Sequence, residues 1–381
     1  MHDKIAYLIK HYSWIQYLYR IVFSKLLQFV GIFVSTNEKL VLISSYGGRK
    51  YADSPKVLYE AMKINPRYVN YEYVWAFENP AAYADVNIKT VRIDTWKYFL
   101  TALQAKIWIT NVNIERGLKF KKEKTIYLNT WHGTGPKKGG NAVAGRKDYD
   151  FSSVDILCVD GTYMHDVMIK YFGATEQGLL YSGRPREDAL FRFKKSDAAH
   201  IRNSLGISIN KKIILYMPTW REYEVRELNS SLWQSILGDE YVVLLRTHHF
   251  AQNAELVGEG DFFIDVTKYG DVNELYFVAD ILVSDYSSAF FDYGLLGKPM
   301  FCYAYDYDRY VREYGLFMNL EAEFPRGIKR TEKELLSAIK TLDYEIYAQE
   351  CRDYCNRYVS HKGRATEECL QRLNELLRGD F

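Results

Sequence analysis

The chain is 381 residues long, 48% hydrophobic and 26% charged, a length that argues for two domains rather than one core. Its 50 basic and 48 acidic residues leave a net charge of +2, which excludes a generically polycationic nucleic-acid binder and makes any basic function local. Five cysteines, odd in number and lacking zinc spacing, point to reduced thiols in a cytosolic protein.

The N-terminal segment, residues 1–36, is read as an amphipathic helical region. Ile5, Leu8, Ile9 and Tyr12, then Ile15, Leu18, Tyr19 and Val22, fall at helical spacing. From Lys4 to Asn37 there are four basic residues and no acid. Such a helix suits the headgroup layer of an anionic membrane; a helix docked on the protein's own core is the competing reading. The lack of an apolar run of about 18 residues disfavours a spanning helix. Charges recurring to Lys25 without a small-residue cleavage site disfavour a signal peptide.

Beyond it, short β-rich apolar runs alternate with helical patterns, which predicts parallel βαβ units. The first set is "KLVLISSYG", "YEYVWAF", "KIWITNV", "KTIYLNTW" and "VDILCVD". After the charged stretch "FKKSDAAHIRNSLGISINKK" comes a second set: "KIILYMPTW", "YVVLLRTHH", "FFIDVT", "ADILVSDYSS" and "PMFCYAY". From about Thr331 the pattern is helical. The expected architecture is α/β: two doubly wound Rossmann-type domains, 37–200 and 201–345, a central cleft, and C-terminal helices over 346–381. Ligands of such sheets favour the carboxyl ends of the strands.

Polar motifs follow several of these runs directly. In "YLNTWHGTGPKKGG" (127–140) His132 sits on a glycine-flanked turn with Lys137 and Lys138 close behind, a combination suited to a general base beside phosphates. "HGTG" resembles a lipase oxyanion loop, but no G-x-S-x-G nucleophile elbow exists. Dinucleotide and Walker fingerprints also fail. In "YMPTWRE" (216–222) Pro218 ends a strand; Thr219 supplies a hydroxyl, Trp220 a stacking face and Arg221 a phosphate partner. In "LLRTHHF" (244–250) alternation sends Arg246 and His248 to one side, where guanidinium and imidazole suit an anion. "LVSDYSSAFFDYGLLGKP" (282–299) ends a strand at Ser284 and places Ser287 and Ser288 in a first helical turn, where N–H groups and dipole favour a phosphate. Asp292, one turn on, is positioned to accept from ribose hydroxyls. Simple N-capping by Asp285 or Ser287 is the rival explanation. The "DYD" triplets at Asp148–Asp150 and Asp306–Asp308 read as chance occurrences, so no metal site is expected.

At these residues the sequence resembles the CDP-glycerol glycerophosphotransferase family, which primes and polymerises teichoic acids and related capsule polymers. The family's Trp-His-Gly-Thr-Pro-Leu-Lys motif is matched by Trp131 to Lys137, except that Gly135 and Pro136 replace Pro-Leu. Its Pro-Thr-[Trp/Phe]-Arg motif matches Pro218 to Arg221, its Arg-x-His motif Arg246-Thr247-His248, and its Asp-Tyr-Ser-Ser motif Asp285 to Ser288, followed by Phe291-Asp292. "SSYGGRKYADSPK" (44–56), "SGRPREDAL" (182–190) and "YAYDYDRYVREYGLF" (303–317) are weaker echoes. The C-terminal element survives only as Lys362 to Thr366.

The resemblance covers roughly residues 40–370. It implies a GT-B-like fold with the active site between two Rossmann-like halves, and a peripheral position at the cytoplasmic membrane face. It implies His132 and His248 as the catalytic residues and the paired serines as donor-phosphate ligands. The substrate-binding set is then Lys137, Thr219, Trp220, Arg221, Arg246, Asp285, Ser287, Ser288 and Asp292. The implied donor is a CDP-alditol, with glycerol favoured over ribitol. The acceptor is a lipid-linked saccharide or growing polymer, and the product nucleotide is CMP. An anionic membrane surface is the further partner; no nucleic acid, metal or cofactor is expected, and homo-oligomerisation is left open. The competing functions are a GT-B nucleotide-sugar transferase and a catalytically silent membrane adaptor.

Overall fold

A computed structural model describes residues 13–223, 227–247, 262–360 and 363–379. Ile5, Leu8, Ile9, Tyr12 and His248 lie outside the described residues. The fold is mixed α/β with two parallel sheets. The seven-stranded sheet contains β1 (Asn37–Ser44), β2 (Glu72–Phe77), β3 (Lys89–Arg92), β4 (Ala105–Thr110), β5 (Ile126–Asn129), β6 (Ile156–Val159) and β7 (Leu179–Tyr181). Its order is β3-β2-β1-β4-β5-β6-β7. The five-stranded sheet contains β8 (Lys212–Met217), β9 (Tyr241–Leu245), β10 (Phe263–Asp265), β11 (Ile281–Ser284) and β12 (Met300–Cys302), in the order β10-β9-β8-β11-β12.

Every pairing within both sheets is parallel. Helices therefore cover both faces, and the central strands read as unbroken apolar runs because neither face meets water. Val41, Leu42 and Ile43 of β1 and Ile107, Trp108 and Ile109 of β4 are wholly buried. Each sheet reverses its strand order once, between β1 and β4 and between β8 and β11. Such reversals open a crevice at the carboxyl ends of the two strands, where ligands of open α/β sheets bind.

The chain forms two compact units. One is built from residues up to His132, from Arg146–Arg186 and from Arg364 onward; the other from Gly133–Gly145 and Glu187–Gly363. After β7 the division between these units falls between Arg186 and Glu187. The final helix, Ala365–Arg378, belongs to the first unit. It buries Cys369, Leu370 and Leu373 in the same cluster as Ile156 and Cys158 of β6. Its amphipathic face completes the first unit's core.

The helix Ser13–Phe33 exposes most of its apolar side chains. Leu18, Phe29 and Ile32 are 53%, 59% and 75% accessible. Only a narrow edge docks: Ser24 and Leu27 are buried, Ser24 Oγ accepts from the Lys119 N–H at 2.9 Å, and Gln28 donates to the Lys119 carbonyl at 2.7 Å. Arg20, one of the four basic residues of the N-terminal segment, pairs with Asp148 at 3.2 Å. Among the described residues no helix is long and apolar enough to cross a membrane.

Candidate active site

In the first unit the sequence-predicted base lies at the β1/β4 reversal. His132 follows β5 and Asn111 follows β4 directly. The His132 Nδ1 stands 2.9 Å from the Asn111 carbonyl oxygen. A carbonyl only accepts, so Nδ1 carries the proton and the neutral ring presents an unprotonated Nε2. Nε2 makes no hydrogen bond among the described residues. The Trp131 ring lies 4.0 Å from the imidazole, centroid to centroid. Burial lowers the His132 pKa below its ordinary value; the bond to Asn111 and the Asp53 carboxylate oppose this, while Arg186 and Arg184 reinforce it. The ring is thus held in the form that can take a proton at neutral pH.

Two segments without an assigned role in the sequence support that turn. Arg186, on the segment after β7, donates through Nη1 to the His132 carbonyl at 3.0 Å and to Asp53 Oδ2 at 2.7 Å. Asp53 opens the helix Asp53–Ile64. Burial would raise its pKa, but the Arg186 guanidinium, the Tyr46 hydroxyl and the Ser54 N–H bring it below the usual carboxylate range. The only sequence signal for either residue was its place in the two weaker family echoes, 44–56 and 182–190.

In the second unit the motifs after β8 and β11 meet at the other reversal. Asp285 Oδ1 accepts from the Thr219 N–H at 2.9 Å and from the Tyr286 N–H at 2.6 Å. Its Oδ2 receives Arg221 Nη2 at 2.8 Å. Arg221 also donates to Asp306 through Nε and Nη2, at 2.5 and 2.9 Å, and to the Thr219 carbonyl at 2.5 Å. Its side chain has no solvent exposure. Arg221, read from its loop position as a phosphate partner, is held in the structure by two carboxylates. Four of its N–H donors hold the two carboxylates and the Thr219 loop, and the site is built upon it. Asp306 and Asp308 of the second "DYD" triplet are both ion-paired, with Arg221 and Arg330.

The glycine-rich loop after His132 completes this constellation. The Phe317 N–H donates to the Pro136 carbonyl at 2.7 Å and the Lys138 N–H to the Gly315 carbonyl at 3.1 Å. A Cβ placed on Gly135 would lie 3.9 Å from Ser288 Cβ. Lys137 then sits over Tyr314 and Tyr310, with Nζ 5.0 and 5.6 Å from the ring centroids. Burial lowers its pKa, with Asp285 opposing, so its charge is poorly solvated and disposed toward an anionic ligand.

Ser287 and Ser288 are part-buried, and Ser287 Oγ accepts from the Ala289 N–H at 3.1 Å. The following helix, Ala289–Gly294, has six residues. It is too short for a strong dipole, so the segment offers hydroxyls and terminal N–H groups instead. The remaining candidates are placed differently. Asp292 is buried within that short helix. Arg246 donates through Nη1 to the carbonyls of Val266 and Tyr269, at 3.2 and 3.0 Å. Trp220 is 37% exposed. Thr219 Oγ1 is buried with no hydrogen-bond partner among the described residues.

Residues 26–375 match the family model described as CDP-Glycerol:Poly(glycerophosphate) glycerophosphotransferase, and the chain belongs to that family. A teichoic acid poly(glycerol phosphate) polymerase of Staphylococcus epidermidis is 33% identical over 378 residues, covering 90% of this chain and 51% of that protein. The chain thus spans about half the length of that relative. A polymerase of the same description from Bacillus spizizenii is 28% identical, covering 97% of this chain and 99% of its own. Among solved structures, the wall teichoic acid polymerase TagF matches with a TM-score of 0.81 at 30% identity, over 96% of this chain and 97% of that one.

Proposed function

We propose that the chain transfers glycerol phosphate from CDP-glycerol to a hydroxyl of a lipid-linked saccharide or growing teichoic-acid-type polymer, releasing CMP. The observation that carries this reading is the His132 imidazole, fixed by Asn111 as the tautomer with a basic Nε2, in a chain of this family. His132 takes the proton of the acceptor hydroxyl while its oxygen attacks the β-phosphorus. The bond to the bridging oxygen breaks, and CMP leaves as a phosphate whose second pKa is about 6, without a general acid. Alignment and charge neutralisation carry the rest of the barrier. Lys137, Thr219, Ser287 and Ser288 are the groups assigned to the donor phosphates; Arg221 and Asp285 hold their loops. His248 keeps the role the resemblance implies, as the second catalytic histidine.

This reading takes the two units as the lobes of a GT-B-like transferase, with an acceptor-side lobe that carries His132 and a nucleotide-side lobe that carries the Asp285–Ser288 segment. Glycerol is favoured over ribitol by the relatives' extent. A poly(ribitol-phosphate) polymerase of Bacillus spizizenii is 28% identical over only 60% of this chain, against 90% and 97% for the two glycerol phosphate polymerases. Offered CDP-glycerol, CDP-ribitol and a UDP-sugar together with a lipid-linked acceptor, the purified protein should release CMP fastest from CDP-glycerol. Faster release from CDP-ribitol would reassign the alditol, and UDP release would make the chain a sugar transferase.

The exposed apolar face of the helix Ser13–Phe33 supports peripheral attachment at the cytoplasmic membrane face, driven first by apolar burial in the interface. Replacing Leu18, Phe29 and Ile32 together by glutamate should weaken binding to anionic vesicles by about tenfold or more with an unchanged circular dichroism spectrum. Undiminished co-sedimentation of that variant would remove the helix from the account.

A further inference from the structure

We infer that Tyr46, Asp53, Asn111 and Arg186 form a closed hydrogen-bonded ring that positions His132 for proton abstraction. The ring can be followed atom by atom. His132 Nδ1 donates to the Asn111 carbonyl at 2.9 Å. The Asn111 side-chain Oδ1 accepts from the Tyr46 N–H at 2.7 Å. The Tyr46 hydroxyl donates to Asp53 Oδ2 at 2.5 Å. Arg186 Nη1 bridges Asp53 Oδ2 and the His132 carbonyl, at 2.7 and 3.0 Å. The histidine is thus gripped at its ring and at its own carbonyl, the two ends that set where Nε2 points.

Three separate connections supply the members: the one from β1 into the helix Asp53–Ile64, which carries both Tyr46 and Asp53, and those after β4 and β7. A second tie links two of them, since the Ser54 N–H donates to Asp53 Oδ1 at 2.6 Å and Ser54 Oγ accepts from the Arg186 N–H at 3.2 Å. The backbone is held in an unusual shape around the ring. Tyr46, Asp53 and Trp131 have φ of 48°, 66° and 53°, left-handed values that residues with side chains adopt only where their surroundings over-determine them. Asp53 and Arg186 side chains are 4% and 11% exposed. The charged groups that act on the imidazole are Asp53, Arg186 and Arg184, the last paired with buried Asp160 at 2.7 Å; the Tyr46 ring centroid lies 6.4 Å from that of the imidazole.

Asp53 and Arg186 are positioning residues, and their opposite charges separate positioning from mere scaffolding. The inference rests on His132 being the base, so the experiment reads His132 both with and without turnover. In the full-length protein carrying isotope-labelled histidine, the His132 signal is identified by its loss in His132→Gln and titrated by NMR. Asp53→Asn removes the nearby anion and should move the His132 titration, and the acid limb of kcat/KM, to lower pH. Arg186→Gln removes a cation and should move both to higher pH. Both variants should lose about 10- to 100-fold in kcat with donor KM changed less than about threefold, as expected when a base is misplaced by a fraction of an ångström. Arg186→Lys should restore the pH position but only part of kcat. The near-isosteric Tyr46→Phe should lose less than either charge change. An active His132→Gln overturns the base assignment, while the NMR titration still reports on the ring. An inactive His132→Gln, combined with wild-type kcat and unmoved titration in Asp53→Asn and Arg186→Gln, overturns the ring alone.

Discussion

Replacing His132 with alanine should lower turnover by about 10²-fold or more while leaving donor affinity nearly unchanged. The expectation follows from where the residue sits. The imidazole belongs to the first unit, whereas the side chains assigned to the nucleotide diphosphate, Lys137, Thr219, Ser287 and Ser288, belong to the second. Its removal deletes a proton acceptor and leaves the donor's contacts in place. Because burial holds the His132 pKa below the ordinary imidazole value, the wild-type rate should rise with pH through a point below about 6.5 and be level by neutrality. The acid limb should disappear in His132→Ala. Equal losses in kcat and in CDP-glycerol binding would instead make His132 a donor ligand. Full activity would remove it from the mechanism.

The second large effect is on stability. Arg221→Ala should destabilise the second unit by about 3–5 kcal/mol, the cost of removing one partner from a buried ion pair and leaving the other charge unpaired. Two carboxylates are orphaned here, Asp285 and Asp306, only 3% and 8% exposed. The Tyr223 and Tyr286 hydroxyls, 2.6 and 2.9 Å from Asp306, cannot replace a delocalised cation. Arg221→Lys retains charge but not the fork that reaches both acids, so its cost should be intermediate.

The pH dependence has a definite sign. Burial would raise the Asp306 pKa, but its bonds to Arg221 and Tyr223, then the Arg221 charge and Tyr286, bring it below the usual carboxylate value. Its contribution is therefore complete above the unfolded value of about 3.9 and is lost as pH falls through the lower folded value. The gap in thermal midpoint between wild type and Arg221→Ala should be widest near neutrality and narrow in acid. A gap that widens in acid, or a neutral-pH midpoint equal to wild type, would show that the buried cluster does not hold the unit together.

The strands were legible where the sheet buries them on both faces. "KLVLISSYG" and "KIILYMPTW" are apolar without alternation because β1 and β8 are central, and each became a strand with its polar residues just beyond the carboxyl end. The edge strands β3 and β7 went unread: they have four and three residues, and Val91 alone among them is buried. Local pattern likewise located His132 and the Asp285–Ser288 turn, since both directly follow a strand. It did not show the ion pairs of Arg221, because the acids that hold the guanidinium lie 64 and 85 residues away. It left Asp53 and Arg186 without a role for the same reason, their partnership spanning 133 residues. Side-chain pairing across such distances has no periodic signature. A lone arginine after a strand reads the same whether it awaits a phosphate or is already held by carboxylates.

The central claim, transfer of an intact alditol phosphate, is tested most directly by mass analysis of the acceptor after reaction with CDP-glycerol. The account predicts an acceptor carrying one or more added glycerol phosphate units, with one CMP formed for each unit and neither product formed at an appreciable rate by His132→Ala. An acceptor of unchanged mass while CMP accumulates, or one gaining a unit other than glycerol phosphate, would contradict it.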